Sequence, residues 1–88
     1  MMFGNITIKD IRKELGNLFR QQRTAHKLSQ QELGELLDMS KTTIHKLESG
    51  QNATLDTVLK VANHFDLLDK LLEGIKELQA DTNIDPLY

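Results

Sequence analysis

The sequence predicts an all-α domain built from five short helices, and three observations carry that expectation. Apolar residues recur three and four positions apart almost throughout. A Ser or Thr stands just before most of these runs, where a helix needs a side-chain oxygen to satisfy its first free N–H groups. With five glycines, and one proline at position 86, the chain has little from which to build long linkers. The one alternating stretch is "NITI" at residues 5–8. At 88 residues the chain makes a single domain with a modest core, assigned to residues 1–79, with residues 80–88 as a short tail.

The first helix is expected over about residues 8–26, capped by Thr7 or Asn5, with Ile11, Leu15, Leu18 and Phe19 as its inner stripe. The second covers about residues 30–37. Ser29 caps it, and Glu32 three positions on completes a capping box that satisfies two donors reciprocally. The third, about residues 41–49, has Ser40 as cap and stops at Gly50, a residue at ease in the left-handed conformation that ends helices. The fourth, about residues 55–65, follows Thr54 and carries Leu55, Val58, Leu59, Ala62 and Phe65 on one face. The fifth, about residues 68–79, carries Leu68, Leu71, Leu72, Ile75 and Leu78, and Pro86 ends regular structure in the tail.

The second and third helices form a pair. Leu33, Leu36 and Leu37 are expected to meet Ile44 and Leu47, and the connection "DMS" is too short for anything but a steep crossing. That is a helix-turn-helix over residues 30–49. Gly34 supplies a small residue where backbones approach, Asp38 tolerates positive φ in the turn, and Met39 turns inward as its plug. With Ile44 and Leu47 inward, Thr42, His45, Lys46 and Ser49 face outward, and Lys41 lies at the exposed N-terminal end. This set is cationic and hydroxyl-bearing. It suits a DNA major groove, where Lys donates to guanine O6 and N7 and Thr reaches base edges or thymine methyls. A merely solvated helix face is the alternative.

Charge is compatible with that reading only in its distribution. The net charge is −2, but residues 1–65 carry nine Lys/Arg against seven Asp/Glu, and residues 66–88 carry two against six. There is no cysteine, which removes disulfides and thiolate metal sites and fits a reducing cytoplasm. No apolar run approaches the roughly 18–20 residues of a membrane span. His26, His45 and His64 fall on different helices, so no metal or other cofactor is expected. Nor is catalysis, since no serine has a histidine base at recognisable spacing and the glycines are isolated. Three Phe, one Tyr and no Trp leave little for stacking single-stranded bases.

The stretch "LSQQELGELLDMSKTTIHKLESGQ" resembles the helix-turn-helix of the Cro/Xre-type, phage-repressor family, and the likeness extends over roughly residues 15–68. Its marks are a Gln opening the first helix of the pair, a small residue four on, a tight turn, an inward Ile, and Leu-Glu before Ser-Gly. The resemblance implies that Gln30 braces a phosphate, that Lys41, Thr42 and Lys46 lie where bases are contacted, and that Thr43, Ser49 and Asn52 touch the DNA backbone. It also implies a structural ion pair between Arg23 and Glu48. The family's turn usually has Gly where this chain has Asp38. Arg20 and Lys27 are solvated cations or further phosphate contacts.

The fifth helix has more leucine than a small shared core can use. Leu68, Leu71, Leu72 and Ile75 are therefore expected to form a homodimer interface, which implies an inverted-repeat operator on double-stranded DNA. The stretch "TLDTVLKVANHFDLLDKLLEGIKE" further resembles HipB-type antitoxins, small repressors encoded with a HipA-like serine/threonine kinase toxin. That likeness implies an autorepressor with the kinase as partner, and Ile84, Leu87 and Tyr88 in the tail as candidate contacts. A free-standing prophage or metabolic repressor, and a helical adaptor that reads no DNA, are the alternatives.

Overall fold

The computed structural model describes residues 4–82, and they form five helices in the expected order. These are α1 (Ile8–Ala25), α2 (Gln30–Leu37), α3 (Lys41–Glu48), α4 (Leu55–His64) and α5 (Leu68–Thr82). Among the described residues there is no strand, and "NITI" is the lead-in and first residue of α1. Helix α5 runs three residues past the expected Gln79. The tail residues Ile84, Pro86, Leu87 and Tyr88 lie outside the described residues.

Local chemistry explains where the helices start. Thr7 accepts from the Asp10 N–H while Asp10 reaches back to the Thr7 N–H, and Ser29 and Glu32 do the same for α2. Ser40 and Thr54 cap α3 and α4 by accepting from Thr43 and Thr57. Their ends share one device. Lys27, Asp38, Gly50 and Asp66, one after each of the first four helices, have φ of 59°, 57°, 79° and 59°. The next N–H then turns back onto the closing helix: Leu28 to Arg23, Met39 to Gly34, Gln51 to Lys46 and Leu67 to Ala62. Leu28, Met39 and Leu67, which follow the left-handed residue, each pack against the core.

The core lies where α1, α2, α3 and α4 converge on Phe19, Leu33, Ile44, Leu47, Val61, Ala62 and Phe65. Phe19, Leu33, Ile44 and Val61 are wholly enclosed. Each contributes about 1.5–3 kcal/mol of burial. Two glycines allow the close approaches. A Cβ on Gly34 would stand 2.5 Å from the Met39 carbonyl oxygen, so the small residue admits the turn itself rather than the body of α3. A Cβ on Gly16 would strike the Glu48 carbonyl, which lets α1 pass directly against the last turn of α3.

Three expected core residues are outside it. Ile11 is 52% exposed, Leu36 60% and Leu55 70%. On the eight-residue α2, Leu33 and Leu37 already fill the side facing α3, and Leu36 falls on the other flank. Ile11 sits one turn before Leu15, the first α1 side chain packed against the core, and Leu55 opens α4 at the edge of the body. Helix α5 contributes no buried side chain over residues 68–81. The molecule accordingly measures 47 × 27 × 22 Å, with a radius of gyration of 15.4 Å. A compact chain of this length would have one near 12 Å.

Candidate nucleic-acid interface

Helix α3 is held so that one side is inaccessible and the other bare. Ile44, Leu47 and Glu48 are buried, while Lys41, Thr42, His45, Lys46 and Ser49 are exposed and Thr43 is half-buried. Among the described residues the side chains of Lys41, Thr42 and Lys46 make no hydrogen bond or ion pair. The Thr43 hydroxyl is engaged with Ser40 Oγ at 2.9 Å, and Ser49 Oγ donates to the His45 carbonyl at 2.8 Å. No exposed carboxylate interrupts the face, because the only acid on α3 is Glu48.

Glu48 holds the pair of helices to α1. Arg23 Nε donates to its Oε2 at 2.6 Å and Arg23 Nη2 to its Oε1 at 3.0 Å, a bidentate pair. Gln30 Nε2, from the first turn of α2, donates to Oε1 at 3.1 Å. Arg20 adds a longer contact, with Nε 3.7 Å from Oε1 and Nη2 donating to the Glu48 carbonyl at 3.3 Å. The third Arg23 nitrogen donates to the Leu28 carbonyl at 2.8 Å, at the turn into α2. Glu48 is 2% exposed, and among the described residues every buried side-chain polar atom has a partner. Burial pushes the Glu48 carboxyl up, but hydrogen bonds from Arg23 and Gln30 and the charges of Arg23 and Arg20 outweigh it. The net position is below the ordinary glutamate value. The same hydrogen bonds raise the Arg23 guanidinium.

Gln30, expected to brace a phosphate, and Arg20, expected as a solvated cation or a further phosphate contact, thus have work inside the protein. Gln30 commits one amide hydrogen to Glu48. Lys27 is exposed, and its backbone forms the left-handed stop after α1. Asn52 lies apart from α3, in the connection to α4, where its Oδ1 accepts from Arg12 Nη1 at 2.9 Å. Arg12 Nε donates to the Gly50 carbonyl at 3.1 Å, so one α1 side chain ties down both ends of residues 50–52. That arrangement leaves the Asn52 amide nitrogen as the donor turned away from Arg12.

Arg12 and Gly16 carried no role in the sequence reading. Their function depends on α1 crossing the end of α3, a long-range approach that no local pattern announces. The Thr7–Asp10 box was legible in principle, since Thr-x-x-Asp has capping-box spacing.

A helix-turn-helix family model matches residues 19–69, more than half of the chain. The protein belongs to this family, of the Cro/C1 type. It is by that membership a DNA-binding transcription regulator in class. No curated protein matches the chain. Among the described residues no helix is long and apolar enough to cross a membrane, and no cluster of His, Cys, Asp or Glu could hold a metal ion.

Proposed function

We propose that the protein is a dimeric, sequence-specific repressor that inserts α3 into the major groove of an inverted-repeat operator. The observation that carries this is the bare α3 face: two lysines and a threonine, exposed and uncommitted, on a helix anchored from behind by Glu48. Lys41, Thr42 and Lys46 read bases, with His45 on the same face. Gln30, Thr43, Ser49 and Asn52 meet the DNA backbone, Asn52 through the amide that Arg12 orients. Leu68, Leu71, Leu72 and Ile75 join two copies through α5, a reading supported by their exposure in the single chain. Two recognition helices then lie about 34 Å apart, one DNA turn, or a multiple of it. Selection of bound duplexes from a random pool tests this directly. An inverted repeat is expected; recovery of no sequence preference at any salt would leave the helical adaptor as the better reading.

Within that class we infer a HipB-like antitoxin that autoregulates its operon and binds a HipA-like kinase. The leucine-rich α4–α5 stretch supports it, and the recognition helix must stay clear, so the kinase contact belongs on the side away from α3 or on residues 83–88. Truncation after Thr82 should keep operator affinity and weaken capture of a kinase encoded beside this chain. If full-length protein captures no kinase, the free-standing repressor replaces the antitoxin.

A further inference from the structure

The amino-terminal half of α1 lies outside the matched family segment, which begins at residue 19. It is apolar on one side: Leu15 and Leu18 there pack against the core, and Ile8 and Ile11 lie exposed. Ile8, Ile11, Leu15 and Leu18 follow spacings of three, four and three, a continuous stripe along one side of the helix. Leu15 and Leu18 line a groove of about 410 Å³ between α1, α4 and α5, together with Leu55, Leu59, Leu71 and Ile75. Ile8 and Ile11 continue the stripe beyond the groove, 77% and 52% exposed. Across the groove stands α5, fifteen residues long and without a buried side chain over residues 68–81. A helix of that length is marginal in water without an apolar face to cover.

We propose that this whole face is the interface with a second copy of the chain, in which α5 of one copy lies against the amino-terminal half of α1 of the other. The inference rests on the dimer reading above and adds to it the side of the domain used and the role of Ile8 and Ile11. Area favours this occupant. A fully bared Leu or Ile side chain presents roughly 100 Å², so the exposed parts of the α1, α4 and α5 residues on this face offer about 400 Å² of apolar surface per copy. A standard interface takes about 800 Å² from each partner, somewhat over half of it apolar. An isologous contact therefore needs no third molecule to satisfy it. The charges agree with the crossed arrangement. The first half of α1 carries Lys9, Arg12 and Lys13 against Asp10 and Glu14, whereas α5 carries Asp69, Glu73, Glu77 and Asp81 against Lys70 and Lys76, with Lys70 already paired to Glu73 at 3.8 Å. Setting α1 against α1, or α5 against α5, would oppose like net charges, whereas α5 against α1 brings the acidic helix to the basic one.

The test is sedimentation equilibrium of the full chain and of the double variant Ile8→Glu/Ile11→Glu. Helix content by circular dichroism confirms that each sample is folded, and Leu36→Glu serves as a control for loss of an exposed leucine elsewhere. The double variant should raise the dimer dissociation constant by more than about a hundredfold, because it places carboxylates in a contact that excludes water. Leu36→Glu should leave the constant unchanged. If the glutamate pair disturbs folding, Ile8→Ser/Ile11→Ser gives the same reading with a smaller shift, of about tenfold or more. A double variant that dimerises as tightly as wild type overturns the role of α1 while leaving the α5 dimer standing. Wild type that stays monomeric at tens of micromolar, with and without operator, overturns both.

Discussion

Replacing Glu48 with alanine is the sharpest perturbation of the architecture behind the recognition helix. The change deletes the acceptor for two Arg23 nitrogens and one Gln30 nitrogen. The Arg23 side chain is only 12% exposed, so its charge would remain desolvated and unpaired. Breaking such a pair from one side costs about 3–5 kcal/mol. A domain of this size has roughly 4–13 kcal/mol in total, so the loss is a large part of the whole. With a urea slope of about 1 kcal/mol/M, the midpoint should fall by about 3–5 M, at matched protein concentration so that any self-association contributes equally. Glu48→Gln keeps an acceptor and the shape but removes the charge, and should cost about 1–3 kcal/mol. The two variants also separate by pH. Because the folded carboxyl lies below its ordinary 4.5, its contribution is complete above that value and is lost as pH falls through the folded-state value. Wild type should therefore lose stability in acid more steeply than Glu48→Gln. An unchanged urea midpoint for Glu48→Ala, or identical acid profiles for wild type and Glu48→Gln, would refute the reasoning.

Other consequences follow from single contacts. Lys46→Ala should weaken the selected operator by about 1–3 kcal/mol and random duplex by less; equal losses in a competition assay would make Lys46 a phosphate contact. Arg12→Ala frees residues 50–52 and should weaken operator and random DNA alike, severalfold, with only a modest fall in the thermal midpoint, because one of its two hydrogen bonds is exposed and the other only part-buried. Lys27→Gly should raise the urea midpoint modestly: a left-handed non-glycine costs about 1–2 kcal/mol, against 0.5–1 kcal/mol for the extra freedom of glycine in the unfolded chain. A lowered midpoint would mean the Lys27 side chain stabilises the fold in some other way.

How much of this was legible depends on the range of the interaction. Helix starts at Ser29, Ser40 and Thr54 could be read because a cap acts within three residues. The expectation that Asp38 takes positive φ and that Ile44 and Leu47 turn inward comes from the same short range, and the structure has both. Ile11, Leu36 and Leu55 misled because periodicity shows that a helix has an apolar side without showing what covers it. Leu36 looked equivalent to Leu33 and Leu37 on a helix of two turns, and only the position of α3 decides between them. The stop at Lys27 was missed because lysine does not advertise a left-handed backbone; Asp66 is of the same tolerant type as Asp38 and could have been read. The apolar residue after each, Leu28 and Leu67, was the available signal. Outward residues on α3 were readable from the helical projection, but the anchoring by Gln30 and Arg20 and the brace from Arg12 needed three helices brought together.

The bareness of α5 also bears on how long a chain survives. An element with no buried side chain opens at almost no free-energy cost, and an open helix is an extended peptide that a protease can grip. In a chain without a neighbour, α5 is that element. In the dimer proposed above a second copy shelters it, so dilution would expose a cleavage site as well as empty the proposed operator. On that proposal turnover and occupancy would respond to the same variable in the same direction, and a fall in synthesis would be amplified by faster loss of what remains.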